Sequence, residues 1–134
     1  MLRPVSYRLV SAVALIVLLA FTVAKAEAPA PKYDKSSEVK IKGVIDDVNT
    51  AADHTVHIML RNEKGLVDVV VAPEKFLKVM EITFAKGDAI EVLGSPLTSS
   101  DAAAIFLARE VTRNGDVMVM RDDSGKPVWL GWIQ

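Results

Sequence analysis

Short stretches of alternating apolar and polar residues, separated by turn signals, follow one another from Glu38 to the C terminus. In the stretch 55–61, for example, Val56, Ile58 and Leu60 occupy every second position. A period of two residues places alternate side chains on opposite faces of a β-strand. Regularly spaced short strands of this kind are typical of a β-barrel or a β-sandwich. The sequence therefore predicts an all-β domain that begins near Glu38.

One segment breaks the alternation and predicts the only helix, over residues 73–82. It opens with Pro73, which loses no hydrogen bond in a first helical turn. Later in the chain, the dipeptide Asn114-Gly115 predicts a tight β-hairpin. Between these features, strand 103–113 is predicted to turn its Ile105, Leu107 and Val111 side chains inward, and residues 95–101 are predicted to form a loop.

The order of these elements predicts a particular barrel. The alternation of the first strand changes phase at Gly43, where a glycine permits a bulge or a sharp bend. Three strands, one short helix and two or three further strands, with a bend in the first strand, are the order of an OB-fold barrel. We therefore predict an OB-fold-like barrel of five to six strands. A small β-sandwich would show the same alternation and remains the alternative.

The first 26 residues have the pattern of a secretory signal peptide. Arg3 and Arg8 make the start basic, an apolar run covers residues 9–23, and small residues lead to Ala26. The run is short for a membrane-spanning helix, which needs about 20 apolar residues. We expect cleavage after Ala26, a periplasmic or secreted location, and no stable membrane insertion once the signal has been removed.

A short linking segment is predicted between the signal and the barrel. Residues 27–37 are rich in Ala, Pro, Lys and Ser and contain one aromatic residue, Tyr33. Such a segment buries too little apolar surface to offset the entropy lost on ordering. The predicted organisation is therefore a signal peptide at 1–26, a flexible tether at 27–37, and an OB-fold-like domain with an apolar C-terminal tail at 38–134.

Composition excludes several functions. The chain has no cysteine, which excludes disulfides, thiolate metal sites and a cysteine nucleophile. Loss of the three basic residues of the signal changes the formal net charge from −1 to −4, which argues against nucleic acid as a partner. The two histidines, His54 and His57, lie close together without a serine in a Gly-x-Ser-x-Gly turn. We therefore expect a protein that is not an enzyme and has no nucleic-acid partner.

Three stretches, at residues 86–94, 108–111 and 121–129, resemble those of small exported bacterial OB-fold proteins. The resemblance covers roughly residues 38–132 and consists of turn and core signals. Most of those proteins are uncharacterised, and some are labelled nucleic-acid-binding because of their fold alone. The resemblance therefore implies the fold and no particular chemistry.

A set of soft ligands suggests a metal alternative. Alternation places His57 and Met59 on the outer face of one strand, and Met118 and Met120 together on one face of the last strand. Imidazole and thioether ligands without thiolate suit Cu(I) or Ag(I). The chain is also similar in size and fold to the periplasmic copper and silver chaperone of copper-efflux systems, which uses a His, two Met and a nearby Trp. Here, however, the two methionines lie some 60 residues beyond His57, and the favoured interpretation is that they fill gaps in the core under the C-terminal tail.

The apolar C-terminal tail is the remaining candidate site. Trp129 and Trp132 follow Arg121 closely, and Trp and Arg are enriched where proteins bind partners. The tail could instead close one end of the barrel. We expect an exported, non-enzymatic binding module of the cell envelope, without a cofactor, that meets a protein or small ligand through Arg121, Trp129 and Trp132. The alternative is a periplasmic Cu(I)/Ag(I) carrier that uses His57, Met59, Met118 and Met120.

Overall fold

The computed structural model describes residues 32–97 and 104–131. A 3-10 turn, Lys35–Ser37, leads into six strands and one short helix. These are β1 (Val39–Thr50), β2 (Thr55–Asn62), β3 (Gly65–Pro73), α1 (Glu74–Val79), β4 (Ala89–Leu97), β5 (Ala104–Arg113) and β6 (Asp116–Val119). The fold class and the order of elements predicted from the sequence are confirmed.

The sheet closes on itself because β1 is shared between two partners. Residues 39–44 of β1 pair with β4, and residues 44–50 pair with β2, in both cases antiparallel. The ring is completed by a parallel pairing of β3 with β5. Strands β1 to β5 thus form a closed barrel, which excludes the alternative of a β-sandwich, and β6 adds an extra strand beside β5.

The bend of β1 involves two separate positions, Gly43 and the residues 45–47, whereas the sequence pattern indicated Gly43 alone. A Cβ atom at Gly43 would lie 2.4 Å from the carbonyl oxygen of Arg61, so only glycine permits this close approach of the two strands. The register irregularity itself lies between Ile45 and Asp47. Gly43 therefore provides the close approach, and the residues after it provide the bulge.

The barrel core is apolar, and each of the strands β1 to β5 contributes buried residues to it. Val56, Ile58 and Leu60 are buried in it as the alternation predicts. Phe76 and Leu77 of α1 belong to the same core. Because burial of large apolar side chains is the main favourable term in folding, the helix stabilises the barrel chiefly through these two residues.

The helix is shorter than the predicted range of 73–82. It covers Glu74–Val79, and Glu81 then adopts a left-handed φ of 56°. In the same turn the N–H of Ile82 donates to the carbonyl oxygen of Leu77 at 2.9 Å. This arrangement ends a helix and usually has glycine at the left-handed position. No glycine marks the end here, so the sequence pattern placed it too late.

Strand β4 also differs from the prediction. It continues to Leu97, so the first three residues of the predicted loop at 95–101 are extended. Ser95 is fully buried there. The rest of that predicted loop lies outside the described residues.

Strand β5 contains a bulge that the sequence pattern did not indicate. Glu110 pairs with Leu93 and Ala108 pairs with Gly94, so Arg109 is left as an extra residue. The core cluster consequently takes residues 106, 108 and 111 from this strand, so the prediction is confirmed for Val111. Leu107 is also fully buried, but it alternates with Phe106 and Ala108 and lies outside that cluster, and Ile105 is only partly buried. An extra residue in one strand shifts the side chains on one side of it to the opposite face.

Candidate partner-binding surface

The last part of the predicted tether contacts the barrel. The backbone N–H of Asp34 donates to the Oγ of Ser95 in β4 at 3.1 Å. The Asp34 side chain accepts hydrogen bonds from Ser36 and Ser37, which hold the 3-10 turn. Residues 32–37 therefore lie on the surface of the domain and contact it through Asp34. The predicted cleavage site and residues 27–31 lie outside the described residues.

The bulge in β5 directs the Arg109 side chain into a network of acidic groups. Its Nε and Nη2 donate to the two carboxylate oxygens of Glu38 at 2.8 and 3.0 Å. Its Nη1 lies 3.1 Å from Glu110 and 3.2 Å from Asp123. Arg109 is only 9% exposed, and a buried guanidinium needs partners of this kind. Its donors on both sides are occupied, so this arginine has a structural role.

Tyr33 joins the network from the N-terminal side, where its hydroxyl donates to Glu38. The hydrogen bonds from Arg109 and Tyr33 hold the pKa of Glu38 below its usual value. Burial, together with the hydrogen bond to Glu38, raises the pKa of Tyr33. Both shifts favour a neutral tyrosine beside an ionised carboxylate.

The Arg121 guanidinium lies over two aromatic rings. Its Cζ is 5.4 Å from the ring centre of Tyr33 and 5.8 Å from that of Trp129. One of its nitrogens donates to the carbonyl oxygen of Gly125 at 2.9 Å. Within residues 32–97 and 104–131, no carboxylate forms an ion pair with it. Burial accordingly lowers the pKa of Arg121.

A glycine makes the approach of Tyr33 possible. Gly125 has a φ of +87°, and a Cβ atom there would lie only 2.5 Å from the Tyr33 ring. Gly125 belongs to a turn in which Asp122 accepts hydrogen bonds from the N–H groups of Ser124 and Lys126. This turn, at residues 122–125, shapes one side of the Arg121 surface.

Trp129 belongs both to the core and to this surface. Its ring lies 5.6 Å from that of Phe76 at a tilt of 51°, and it packs against the edge of the barrel core. Leu130, the next residue, is 55% exposed. Of the three predicted partner-binding residues, the structure brings Arg121 and Trp129 together, while Trp132 lies outside the described residues. We call the surface of Tyr33, Arg121 and Trp129 the arginine–aromatic surface.

The structure does not bring the four candidate metal ligands together. Met120 is fully buried in the barrel core, and Met118 packs against that core. His57 and Met59 alternate with the buried residues of β2 and so lie on its outer face, where His57 Nδ1 is 2.8 Å from Asp68 Oδ1. The barrel wall therefore separates the two pairs. In the part of the chain that the structure describes, no three His, Asp or Glu side chains form a possible metal-binding group.

Sequence reasoning missed Tyr33, Glu38 and Arg109. Two signals pointed to them. Tyr33 is the only aromatic residue of an otherwise small and polar segment, and Arg109 is a charge in the middle of an apolar strand. What the sequence did not contain is their proximity, because Glu38 and Arg109 are 71 positions apart.

Closure of strands β1 to β5 with a helix between β3 and β4 defines an OB-fold protein. The sequence model of the MamS/MamX magnetosome protein family matches residues 37–118, more than half of the chain, and the chain belongs to this family.

Comparison with other proteins adds a solved structure. A chain from the crystal structure of the S. pombe Stn1–Ten1 complex is similar, with 15% sequence identity and a TM-score of 0.44. The match covers 71% of this chain and 65% of the Stn1–Ten1 chain, so less than two thirds of that neighbour's length is matched. No curated protein sequence matches this chain significantly. Among the helices of residues 32–97 and 104–131, none has the length and apolar character of a membrane span.

Proposed function

We propose that this chain is a non-enzymatic binding module of the cell envelope that contacts its partner through the arginine–aromatic surface. One observation carries the proposal. The Arg121 guanidinium is half-buried between two aromatic side chains, yet no carboxylate of the described residues is paired with it. A partly desolvated cation without an anion is costly for a structural residue and useful for a binding residue.

The sequence and the family support the envelope part of the proposal. The first 26 residues have the charge and apolar pattern of an export signal. Membership of a magnetosome protein family fits a protein that works at a membrane compartment. The proposed location is periplasmic or secreted.

The proposal includes neither catalysis nor a resident metal. His57 and Asp68 are a cross-strand pair on the outer face of the β2–β3 hairpin, which is an ordinary means of stabilising a sheet. Met118 and Met120 face the core and fill it, as methionines commonly do. Nucleic acid is not proposed as the partner because the mature chain carries an acidic excess.

Site-specific photocrosslinking in the host cell tests this function. A photoreactive phenylalanine analogue is placed at Lys126 or Leu130, two exposed positions beside the arginine–aromatic surface, and, as a matched control, at Glu63 in the β2–β3 turn. We expect a discrete adduct from Lys126 and Leu130 that disappears in the Arg121→Gln background. Adducts of equal yield from all three positions would contradict the proposed surface, and so would the absence of adducts from Lys126 and Leu130.

The location has its own measurement. Fractionation of the same cells should recover the chain outside the cytoplasm, and N-terminal sequencing should show that it begins at Glu27. Recovery of the whole chain from the cytoplasm would contradict the envelope part of the proposal while leaving the binding surface to the crosslinking result.

A further inference from the structure

The four arginines of the described residues differ in one respect. Arg61 is paired with Asp46, Arg109 with Glu38, and Arg113 with Asp88. Arg121 has no such partner within residues 32–97 and 104–131, although it is half-buried and its pKa is lowered by burial. Charged side chains are rarely withdrawn from water unless they are paired. The described part of the barrel therefore does not explain why Arg121 is withdrawn from water without an anion among residues 32–97 and 104–131.

The contacts of Arg121 restrict what a partner can be. The rings of Tyr33 and Trp129 present their faces to the guanidinium, and Gly125 takes one of its donors. The remaining donors lie along the edge of a planar group. Such an edge presents parallel N–H bonds, the geometry that two carboxylate oxygens accept. Aromatic walls also lower the local polarity, which strengthens an ion pair formed there.

The charges around Arg121 favour a singly charged anion. The neighbouring Asp122 and Asp123 belong to the same turn, and Arg109 is already neutralised by Glu38, Glu110 and Asp123. A phosphate group carries a charge of about −1.5 to −2 and needs several donors or cations. A carboxylate needs only the one fork that Arg121 offers.

We infer that Arg121 binds a carboxylate of a partner protein, an Asp or Glu side chain, with Tyr33 and Trp129 as the walls of the site. The inference rests on the proposed function and adds the chemistry of the group that is recognised. The acidic side chain docks against the guanidinium edge, and the residues beside it contact the exposed part of Trp129 and Leu130.

Nuclear magnetic resonance titration of the ¹⁵N-labelled chain, purified from its host, tests the inference. The probe is the blocked peptide acetyl-Ala-Asp-Ala-amide, and its matched control is acetyl-Ala-Asn-Ala-amide, which lacks only the charge. Inorganic phosphate and chloride are titrated at the same ionic strength. The signals followed are the side-chain Nε–H of Arg121 and the indole N–H of Trp129.

We expect both signals to shift saturably with the Asp peptide, with a dissociation constant in the millimolar range, since the peptide makes only one charge-assisted pair of hydrogen bonds with the protein. The Asn peptide should leave them in place. Arg121→Lys keeps the charge but not the planar fork and should weaken binding at least tenfold. Arg61→Lys, at an exposed arginine on β2, should change nothing.

Equal shifts with the Asn peptide, or stronger binding of phosphate than of the Asp peptide, would overturn the inference. The comparison of the two peptides on the unaltered chain decides this even if Arg121→Lys fails to fold. If Lys126 still gives a crosslink in cells but the titration shows no preference for the Asp peptide over the Asn peptide, the surface binds a partner through other chemistry. If neither the Asp-peptide binding nor the crosslinking from Lys126 and Leu130 is observed, the proposed function is contradicted as well.

Discussion

Arg109 and Arg121 lie twelve positions apart on one side of the barrel, and both guanidiniums are withdrawn from water. Arg109 sits at the bulge of β5 and meets carboxylates of Glu38, Glu110 and Asp123. Arg121 follows β6 and meets aromatic rings and one carbonyl oxygen. Tyr33 touches both regions, since its hydroxyl binds Glu38 and its ring faces Arg121.

This difference in partners indicates that Arg109 stabilises the fold, whereas the Arg121 guanidinium still has donors to offer a binding partner. A buried charge with a full set of partners resists removal because each partner would be left unpaired. A half-buried charge without an anion contributes little to folding, because its desolvation is not offset. Variants at the two positions should therefore differ in how much stability they lose, and the following experiments compare them.

The largest effect is expected for Arg109→Met. Removal of the guanidinium leaves Glu38 and Glu110 without their partner, and we expect the free energy of unfolding to fall by about 3 kcal/mol. The matched variant Arg121→Met should change it by no more than about 1 kcal/mol. Urea denaturation of both variants at pH 7 gives the comparison. Similar losses at both positions would show that Arg121 is also a structural arginine.

Trp129→Ala should have the next largest effect. This partly buried side chain packs on Phe76 and the core, so we expect a loss of about 2 kcal/mol from removed contacts and the remaining cavity. The variant should also lose one wall of the arginine–aromatic surface. Urea denaturation measures the first effect and the Asp-peptide titration the second, with Leu130→Ala as the exposed neighbour that serves as control. A stability equal to that of the parent would mean that Trp129 does not close the barrel end.

A smaller effect appears in the dependence of stability on pH. Because the folded-state pKa of Glu38 lies below its unfolded value of about 4.5, the associated stability is present above that value and is lost as pH falls through the folded pKa. Glu38→Gln removes this contribution, so its unfolding free energy should fall less steeply between pH 5 and pH 3 than that of the parent. Glu63→Gln, at an exposed turn, is the control. Identical slopes for the parent and Glu38→Gln would place the ionised Glu38 outside the Arg109 network.

The smallest expected effect is that of silver(I) on the amide spectrum. Since the barrel wall separates His57 and Met59 from Met118 and Met120, no single ion can contact both pairs in this fold. We expect no saturable shifts that include both His57 and Met118 or Met120. Coupled shifts at these residues would restore the Cu(I)/Ag(I) carrier and would require a rearranged β6.

Most of the fold could be predicted from the sequence because its signals are local. Alternation assigns the inner face of β2, Pro73 marks the start of the helix, and the left-handed φ values of Asn114 and Gly115 form the hairpin turn that the dipeptide predicts. The errors have local causes too. Glu81 ends the helix without the usual glycine, and the bulge at Arg109 inverts the face of its strand.

The sequence predicts only part of the candidate site, namely Arg121 and Trp129 but not Tyr33. The residue types of Arg121 and Trp129 point to them in the sequence, and the two side chains do lie together. The sequence places Tyr33 in a tether because the segment around it has too little apolar surface to bury. Its partners are Arg121 and Gly125, which lie about 90 positions away.

By itself, then, the sequence determined the all-β class of the domain, the order of its strands and the helix between β3 and β4, because backbone preferences and side-chain alternation act over a few residues. Only the tertiary structure decided which arginine is paired with carboxylates and which has none among the described residues. Pairing depends on contacts between distant segments, which closure of the barrel and docking of residues 33–38 create, and no local pattern encodes them.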